Sequence, residues 1–470
     1  MNSREQRIEW VRNKKDICPM MDTSMFIRPK MLYEFQFKHD ISKTPLKVSS
    51  IPELACCCTI DQELIDIDVA KLTDSNPLKA LSDQFNETAL PKPCHFCEEQ
   101  EQSGAISERL RSAGYFFNTD ESWDSYLEDR KNVSHYEINI KFSNFCNLAC
   151  RVCSPTESTT YGKITNTGGT SEGDISENTV EWNLLLEFIE KKILEYSLVK
   201  LITVGGETFL NDGFYKLIDW LCEKDYAKKV EIRITTNLTV NPTADLLKKF
   251  EQFREIGICA SLDSTYENFH YVRWPGKWSK IEENINTFSE YNSLHKNLNF
   301  FLVINWNLNN IFYIDDFIEY WYDKPIFSSV YSMHLYRPLA LQVEQLPVRY
   351  RAPIIEKLIK CKDHDFFVKF KNKSVESFYD FITSTINYYT TNTTDDILQF
   401  NHYLRFNAGF DFRTNTSITK HNSRLYDLFT DADKEAYQKY YEFYSTKGVS
   451  IPLSSYGFPL SSHGFPLSLK

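Results

Sequence analysis

No stretch of this 470-residue sequence approaches a membrane-crossing run, which needs ~20 consecutive apolar residues. The first residues, MNSREQRIEWVRNKKDICP, carry charge but no apolar segment of the kind that marks a secretory signal. Positive charge is also in short supply: 53 Lys and Arg stand against 64 Asp and Glu, a formal net charge of -11. That balance argues against a generally basic surface and against bulk nucleic acid as a partner, while leaving room for a local basic groove. These absences predict an intracellular, cytoplasmic protein without a membrane span. Apolar residues are plentiful, at 42%, with 15% aromatic. A chain of this length and composition buries large cores, most naturally in two or three domains.

Twelve cysteines are present. In a reducing compartment they serve as metal ligands, catalytic groups or core residues more often than as disulfides. Cys18, the run Cys56-Cys57-Cys58 and the pair Cys94/Cys97 precede residue 100, and Cys146, Cys150 and Cys153 follow as C-x3-C-x2-C. Cys222, Cys259 and Cys361 stand alone and read as small buried hydrophobes.

Pattern divides the chain. Residues 1–130 are irregular, with short apolar runs broken by Pro, Asn, Asp and Ser. From Tyr136 strands and helices alternate. YEINIKF, KLITV, VEIRITT, IGICASLD, LNFFLVIN and SSVYSMHLY read as strands, and a polar loop, TNTGGTSEGDISEN, follows the cysteines. Between the strands lie helical stripes: Trp182, Leu185, Ile189 and Ile193; then Phe214, Leu217, Ile218, Leu221 and Cys222, with Asp212 as a cap; then TADLLKKFEQF; then Trp278, Ile281, Ile285 and Phe288; then Ile314, Phe317, Ile318 and Trp321. Strict alternation predicts an α/β fold, a parallel sheet covered by helices with chemistry at the C-terminal strand ends. Residues 339–450 read as mainly helical. The segment 451–470 repeats PLSS[YH]GF and reads as an extended tail, because Pro and Gly recur in each unit.

Three thiolates directly after the first barrel strand suit an iron–sulfur cluster with one iron left open to a ligand, since closed structural sites use four. Zinc is the rival on spacing alone. CNLACRVC (Cys146–Cys153), together with VGGET (Val204–Thr208) after the second strand and SLDS (Ser261–Ser264) followed by YVRWPGKW (Tyr271–Trp278), resembles the radical S-adenosylmethionine (radical SAM) superfamily. The resemblance implies a partial (β/α)6 barrel over 131–338. It implies a 4Fe-4S cluster on Cys146, Cys150 and Cys153 that binds S-adenosylmethionine, with Gly205, Gly206, Glu207, Ser261 and Arg273 around that cofactor. Gly205 and Gly206 let the backbone approach closely, and Arg273 offers a charge-assisted pair to a carboxylate. Val152 departs from the pattern, which often has a larger residue before the last cysteine, so adenine packing there is open.

PCHFCEEQEQSGAISERL, with ACCCT and Cys18 upstream, resembles the auxiliary-cluster (Twitch, or shortened SPASM) region of one radical SAM subgroup, here preceding the barrel. YRPLALQVEQLP and FDFRTNTSITKHNSRLYDLF resemble that subgroup too. The implied ligands of a second, auxiliary 4Fe-4S cluster are Cys18, Cys57, Cys94 and Cys97. Any one of Cys56, Cys57 and Cys58 can supply the ACCCT ligand; Cys57 is taken because alternation along an extended strand sets it opposite the other two. Zinc is the alternative here as well.

The expected function is reductive cleavage of S-adenosylmethionine and hydrogen abstraction by the resulting 5′-deoxyadenosyl radical from a peptide or protein substrate, with electrons from a reductant of the flavodoxin or ferredoxin type. A small-molecule or nucleotide substrate is the alternative within enzymes. A non-catalytic, metal-stapled binding protein is the alternative outside them. The sequence names no general acid, base or radical relay.

Overall fold

The structure is a computed structural model describing residues 4–447 except 33–45, 56–66, 75–76, 87–88, 103–106, 116, 118–119, 130–132, 134, 172, 325 and 336–337. Cys57 and the repeat segment 451–470 therefore lie outside the described residues.

Among the described residues eleven strands form, in chain order: β1 (Ser24–Leu32), β2 (Leu46–Ala55), β3 (Tyr136–Ile140), β4 (Ala149–Cys150), β5 (Gly168–Ser171), β6 (Val199–Thr203), β7 (Val230–Thr236), β8 (Glu255–Ser261), β9 (Arg273–Trp274), β10 (Leu298–Trp306) and β11 (Ser329–His334). Nine make one sheet in the order β11-β10-β8-β7-β6-β3-β1-β2-β5, while β4 and β9 pair separately. The six expected barrel strands run parallel and adjacent from β11 to β3. The sheet ends at β11 and β5, so the barrel is partial.

β6, β7 and β10 alternate strictly between a buried and a half-buried face, whereas β3, β8 and β11 bury consecutive residues. The buried set includes Ile138, Leu201, Ile232, Ile258, Phe300 and Leu302. The helices Thr179–Glu195, Asp212–Glu223, Trp278–His295 and Ile314–Tyr322 bury the stripes expected of them: Leu185 and Ile189, Phe214 and Leu217, Ile281 and Phe288, Phe317 and Trp321. Burying these side chains is worth ~1.5–3 kcal/mol each, which dominates the choice of face. The opposite, inner face of the sheet carries Asn299, Phe301 and Val303 of β10, all half-buried.

Four expectations change. Residues 1–130 are not wholly irregular: β1 pairs parallel with β3 and antiparallel with β2, so the N-terminal region extends the barrel sheet. The Gly-rich polar loop contains β5, which joins β2. Local propensity hid both, because Pro29, Gly168 and Gly169 are poor strand formers and only the neighbouring strands hold them. The helix at Asp212 is preceded by Asn211 as N-cap residue, and Asp212 is its first residue, where a carboxylate meets the positive end of the helix dipole. Cys222 and Cys259 are half-buried rather than buried, and only Cys361 of the three isolated cysteines is core.

The N-terminal region is fastened by a buried ion pair. Arg109 donates to both carboxylate oxygens of Glu101 at 2.6 and 3.1 Å and to the carbonyls of Val11, Lys14 and Ile17. Burial opposes the charge of Glu101, yet Arg109, Ser107 and Lys15 together hold its carboxyl below the usual range.

His135, buried beside β3, has its pKa pushed down to about 3, by burial first and then by the charges of Lys200 and Arg233. The unfolded chain takes this proton below the ordinary value of 6.5, while the native state refuses it until much lower pH. Stability is thus fully present above that value and falls as pH drops, by about 2 kcal/mol at pH 5. Urea midpoints at pH 7 and pH 5 should differ less in His135→Gln by that amount. An equal drop in the variant would show that other groups carry the acid sensitivity.

C-terminal to β11, helices dominate. Arg351–Lys362, Glu376–Thr391, Ile397–Thr414 and Asp431–Lys447 are the long ones. Ser374 and Ser377 meet the backbone of β11, with Val330 N donating to Ser374 O at 2.9 Å and Ser332 N to Ser377 Oγ at 3.2 Å. That covers an otherwise unpaired strand edge. No described helix is long and apolar enough to cross a membrane.

Candidate active site at the cysteine loop

The loop after β3 begins with Asn144, whose side-chain amide donates to Pro155 O and Gly169 O at 3.0 and 2.9 Å. Asn144 thereby pins both ends of the polar segment that follows. Cys150 lies in β4, directly opposite Arg273 of β9. The loop then tightens, with Cys153 N donating to Cys150 O at 2.9 Å. Cys146 and Cys153 are half-buried and Cys150 is buried.

Each of the first two sulfurs receives a side-chain N–H. Asn237, just past β7, donates to Cys146 Sγ at 3.8 Å, and Arg273 Nη1 donates to Cys150 Sγ at 3.6 Å. Burial, then the neighbouring Cys150, pushes the Cys146 thiol up to about 12. Burial pushes Cys150 up to about 11 against the pull of Arg273, and Cys153 rises well above its ordinary value through burial and both other thiols. The three sulfurs are thus near enough for their charges to act on one another. They favour the thiol form until a cation offsets that repulsion. Three soft sulfur donors with no imidazole among them suit iron–sulfur or zinc chemistry. Among the described residues no three His, Cys, Asp or Glu side chains already stand at metal-ligand spacing, so the donor set fits such a group in kind while its sulfurs still have to converge.

The Gly-Gly-Glu turn after β6 rests on this loop, backbone to backbone. Gly205 and Gly206 have φ of 77° and 60°. A Cβ at Gly206 would lie 2.4 Å from Phe145 O, and one at Gly205 would lie 2.5 Å from Lys141 Cγ. Glu207 N donates to the same Phe145 carbonyl at 2.7 Å. Only glycine meets both the positive φ and the contact.

Glu207 is wholly buried and occupied by the protein. Oε1 accepts from Thr236 Oγ1 at 2.7 Å and Phe209 N at 3.3 Å, and Oε2 accepts from Asn237 N at 2.7 Å. These donors favour the carboxylate, yet burial outweighs them and raises its pKa to about 6. The residue therefore ties the turn after β6 to the end of β7. Glu207→Gln would set an amide N–H against one of these donors. The melting curve should show a loss of ~1–3 kcal/mol, the cost of an unmet buried donor. A wild-type melting temperature would mean that Glu207 does not brace the turn.

Arg273 is buried between two partners. Nη2 stands 2.8 Å from Asp263 Oδ2, and Nη1 reaches Cys150. Asp263 in turn accepts from Asn305 N, near the end of β10, at 2.9 Å. Nε of Arg273 is buried and finds no hydrogen-bond partner among the described residues. Ser261 closes β8, half-buried and opposite Val303 of β10, and no hydrogen bond among the described residues joins it to the cysteine loop.

The expected site residues thus assemble in part: Cys146, Cys150, Cys153, Gly205, Gly206, Glu207 and Arg273 meet, while Ser261 stands on the neighbouring inner face. Cys18, Cys94 and Cys97 are buried in one continuous apolar core that also reaches the barrel. Cys18 is the N-cap residue of the helix Pro19–Thr23. Sequence reasoning missed Asn237, Asp263 and Arg151. The first two had a signal, since they stand just past barrel strands, where such a fold keeps its chemistry.

Comparison with known proteins follows this geometry. Residues 140–317 match the family described as the Radical SAM superfamily. Two GTP 3′,8-cyclases, from Listeria welshimeri and Listeria monocytogenes, are each 26% identical over 204 residues, 43% of this chain and 54% of theirs. The chain therefore spans about half the length of these curated relatives. Among solved structures, anSMEcpe with bound AdoMet and the Cp18Cys peptide is 19% identical, with 52% of this chain and 64% of that one covered at a TM-score of 0.38. SuiB of Streptococcus suis bound to S-adenosylmethionine is 12% identical over 70% of this chain and 69% of its own, at 0.35. At such TM-scores the likeness is loose. The match of residues 140–317 to this superfamily supports an enzyme.

Proposed function

We propose that this chain binds a 4Fe-4S cluster on Cys146, Cys150 and Cys153 and cleaves S-adenosylmethionine reductively to abstract hydrogen from a peptide or protein substrate. The observation that carries this reading is the meeting of three separate sequence segments at one point. Gly206 and Glu207 touch the residue before Cys146, and Arg273 touches Cys150. When bound, the cluster and cofactor supply one-electron cleavage of the sulfonium, giving methionine and a 5′-deoxyadenosyl radical. The chain's own part is positional. Gly205 and Gly206 keep the turn clear of side chains, and would let its backbone approach the amino group of the cofactor. Arg273 presents a guanidinium with a spare Nε–H to the cofactor carboxylate. Ser261 adds a hydroxyl from the end of β8. Asn237 and Arg273 donate to sulfur, which stabilises the more negative, reduced state.

The substrate assignment draws on the open side of the barrel. Tyr331 and Met333 of β11 are exposed, at 43% and 39%. They adjoin half-buried Val303 and Asn305 of β10 in the sheet register. An open, partly apolar wall suits an extended chain better than a small molecule that needs enclosure. The second reading, a small-molecule or nucleotide substrate, is favoured by the sequence likeness to GTP 3′,8-cyclases. A one-electron donor of the flavodoxin or ferredoxin type is required in either case, and a cytoplasmic setting accords with it.

In the N-terminal region we propose an auxiliary 4Fe-4S cluster held by Cys18, Cys57, Cys94 and Cys97. The support is the C-x2-C pair, the burial of three of these thiols in one core, and the way β1 and β2 extend the barrel sheet. The deciding assay is anaerobic reconstitution with iron and sulfide, then incubation with S-adenosylmethionine and dithionite. 5′-Deoxyadenosine should appear. Its absence from iron-loaded protein would end the enzymatic reading, and zinc in place of iron would favour a metal-stapled binding protein.

A further inference from the structure

Arg151 is the one charged residue within the cysteine loop, and it is fully buried. Four of its five guanidinium N–H groups are committed. Nε donates to Tyr271 O at 2.8 Å, Nη1 to Asn407 Oδ1 at 2.9 Å, and Nη2 to Thr416 Oγ1 at 2.8 Å and Asp411 Oδ1 at 2.5 Å. The guanidinium carbon sits 3.7 Å above the Tyr271 ring. Its main-chain N–H donates to Val272 O at 2.9 Å. Asp411 is itself held, with Oδ2 accepting from Ile418 N at 2.8 Å and from Tyr437 OH. Asn407 and Asp411 lie on the helix Ile397–Thr414, and Tyr437 lies on Asp431–Lys447.

The C-terminal helices therefore reach past the barrel and grip the loop between its second and third cysteines. The grip and the Arg273 contact converge on Cys150 from two sides: Tyr271 and Val272 hold Arg151, and Arg273, next along the same segment, holds the sulfur. A buried arginine is costly unless its N–H groups are met, and a polar network in which four of five are met, one of them by a carboxylate, rigidifies what it joins. Burying an ion pair at this position, rather than an apolar contact, fixes the direction of the loop as well as its depth.

We propose that Arg151 is a positioning residue, locked by Asp411, which sets the spacing of Cys150 and Cys153 and so makes the C-terminal helices part of the machinery at this loop. This rests on the reading of those cysteines as cluster ligands. The shape of the fork matters as much as its charge, since lysine cannot span Tyr271 O, Asn407, Asp411 and Thr416 at once.

The test uses the full chain carrying Arg151→Lys, with Asp411→Asn as a second, milder variant. In metal-free protein, alkylation by iodoacetamide is followed cysteine by cysteine by mass spectrometry, with buried Cys361 as the internal reference for global loosening. Local release of the loop should raise the Cys150 rate about tenfold while Cys361 stays unchanged. After reconstitution, iron should still load, with a changed electron paramagnetic resonance signature and weaker binding of S-adenosylmethionine. Equal acceleration at Cys150 and Cys361, or unchanged alkylation and an unchanged spectrum, would overturn the proposal. Faster Cys150 alkylation in the variants, combined with no 5′-deoxyadenosine from the wild-type chain, would sink the enzymatic reading while leaving the clamp standing.

Discussion

Replacing Cys146, Cys150 and Cys153 together by Ala is expected to abolish 5′-deoxyadenosine formation and to leave about half of roughly eight irons per chain, those of the N-terminal cluster. The chain should still fold. Two of these thiols are only half-buried, and the sulfur–nitrogen contacts they accept are long, at 3.6 and 3.8 Å. The backbone contacts that place the loop survive the change: Glu207 N to Phe145 O, Arg151 N to Val272 O and Cys153 N to Cys150 O. Iron analysis, sulfide analysis and circular dichroism on the same preparation read all three quantities. Full iron in the triple variant would place the cluster elsewhere. Stoichiometric zinc in protein purified without added metal would remove the second cluster from the proposal.

Arg273→Ala should both weaken S-adenosylmethionine binding at the proposed site and destabilise the fold. From sequence alone this substitution reads as a clean probe of S-adenosylmethionine affinity, worth ~1.5–3 kcal/mol for a lost charge-assisted contact. The structure adds a second cost. Asp263 is fully buried, and Arg273 is its ion-pair partner at 2.8 Å. Removing the guanidinium strands that carboxylate in the interior, and breaking a buried pair costs ~3–5 kcal/mol. Arg273→Ala should thus lose most of its soluble yield, with a lowered denaturant midpoint in what remains. Pairing it with Asp263→Asn removes the stranded charge, so the double variant should regain stability while S-adenosylmethionine binding, read by equilibrium dialysis, stays weak. Wild-type affinity in the double variant would show that Arg273 serves structure alone.

The barrel was legible because its physics is local. Strand alternation from Tyr136 onward and the stripes through Leu185, Leu217, Ile285 and Phe317 mark elements with one face bound for the core. These elements stand where the pattern sets them. The cysteine loop and the Gly-Gly turn were legible for another reason: few residue types can supply soft ligands or a positive φ, so the residues themselves carry the message. Other features carried none. β1, β2 and β5 are strands only because β3 offers a free edge to pair with, and no window of their own sequence contains that edge. Arg151 looks like a surface charge in a loop, because Asn407, Asp411 and Thr416 lie more than two hundred and fifty residues away along the chain.

What the sequence by itself determined is the chemistry on offer: three closely spaced thiols, a glycine turn and an arginine, on a chain whose periodicity demands a helix-covered parallel sheet. What only tertiary structure decided is which of those groups remain available. Glu207, expected as an acidic hydrogen-bond partner beside the cofactor, spends both oxygens on Thr236, Asn237 and Phe209. Arg273 divides itself between Asp263 and Cys150, and Arg151 binds the cysteine loop to the C-terminal helices. The reason is that a buried polar group must be met by a partner wherever the fold can bring one. Periodicity records which face of an element is buried, but the partner that meets a buried charge is set by contacts between distant segments.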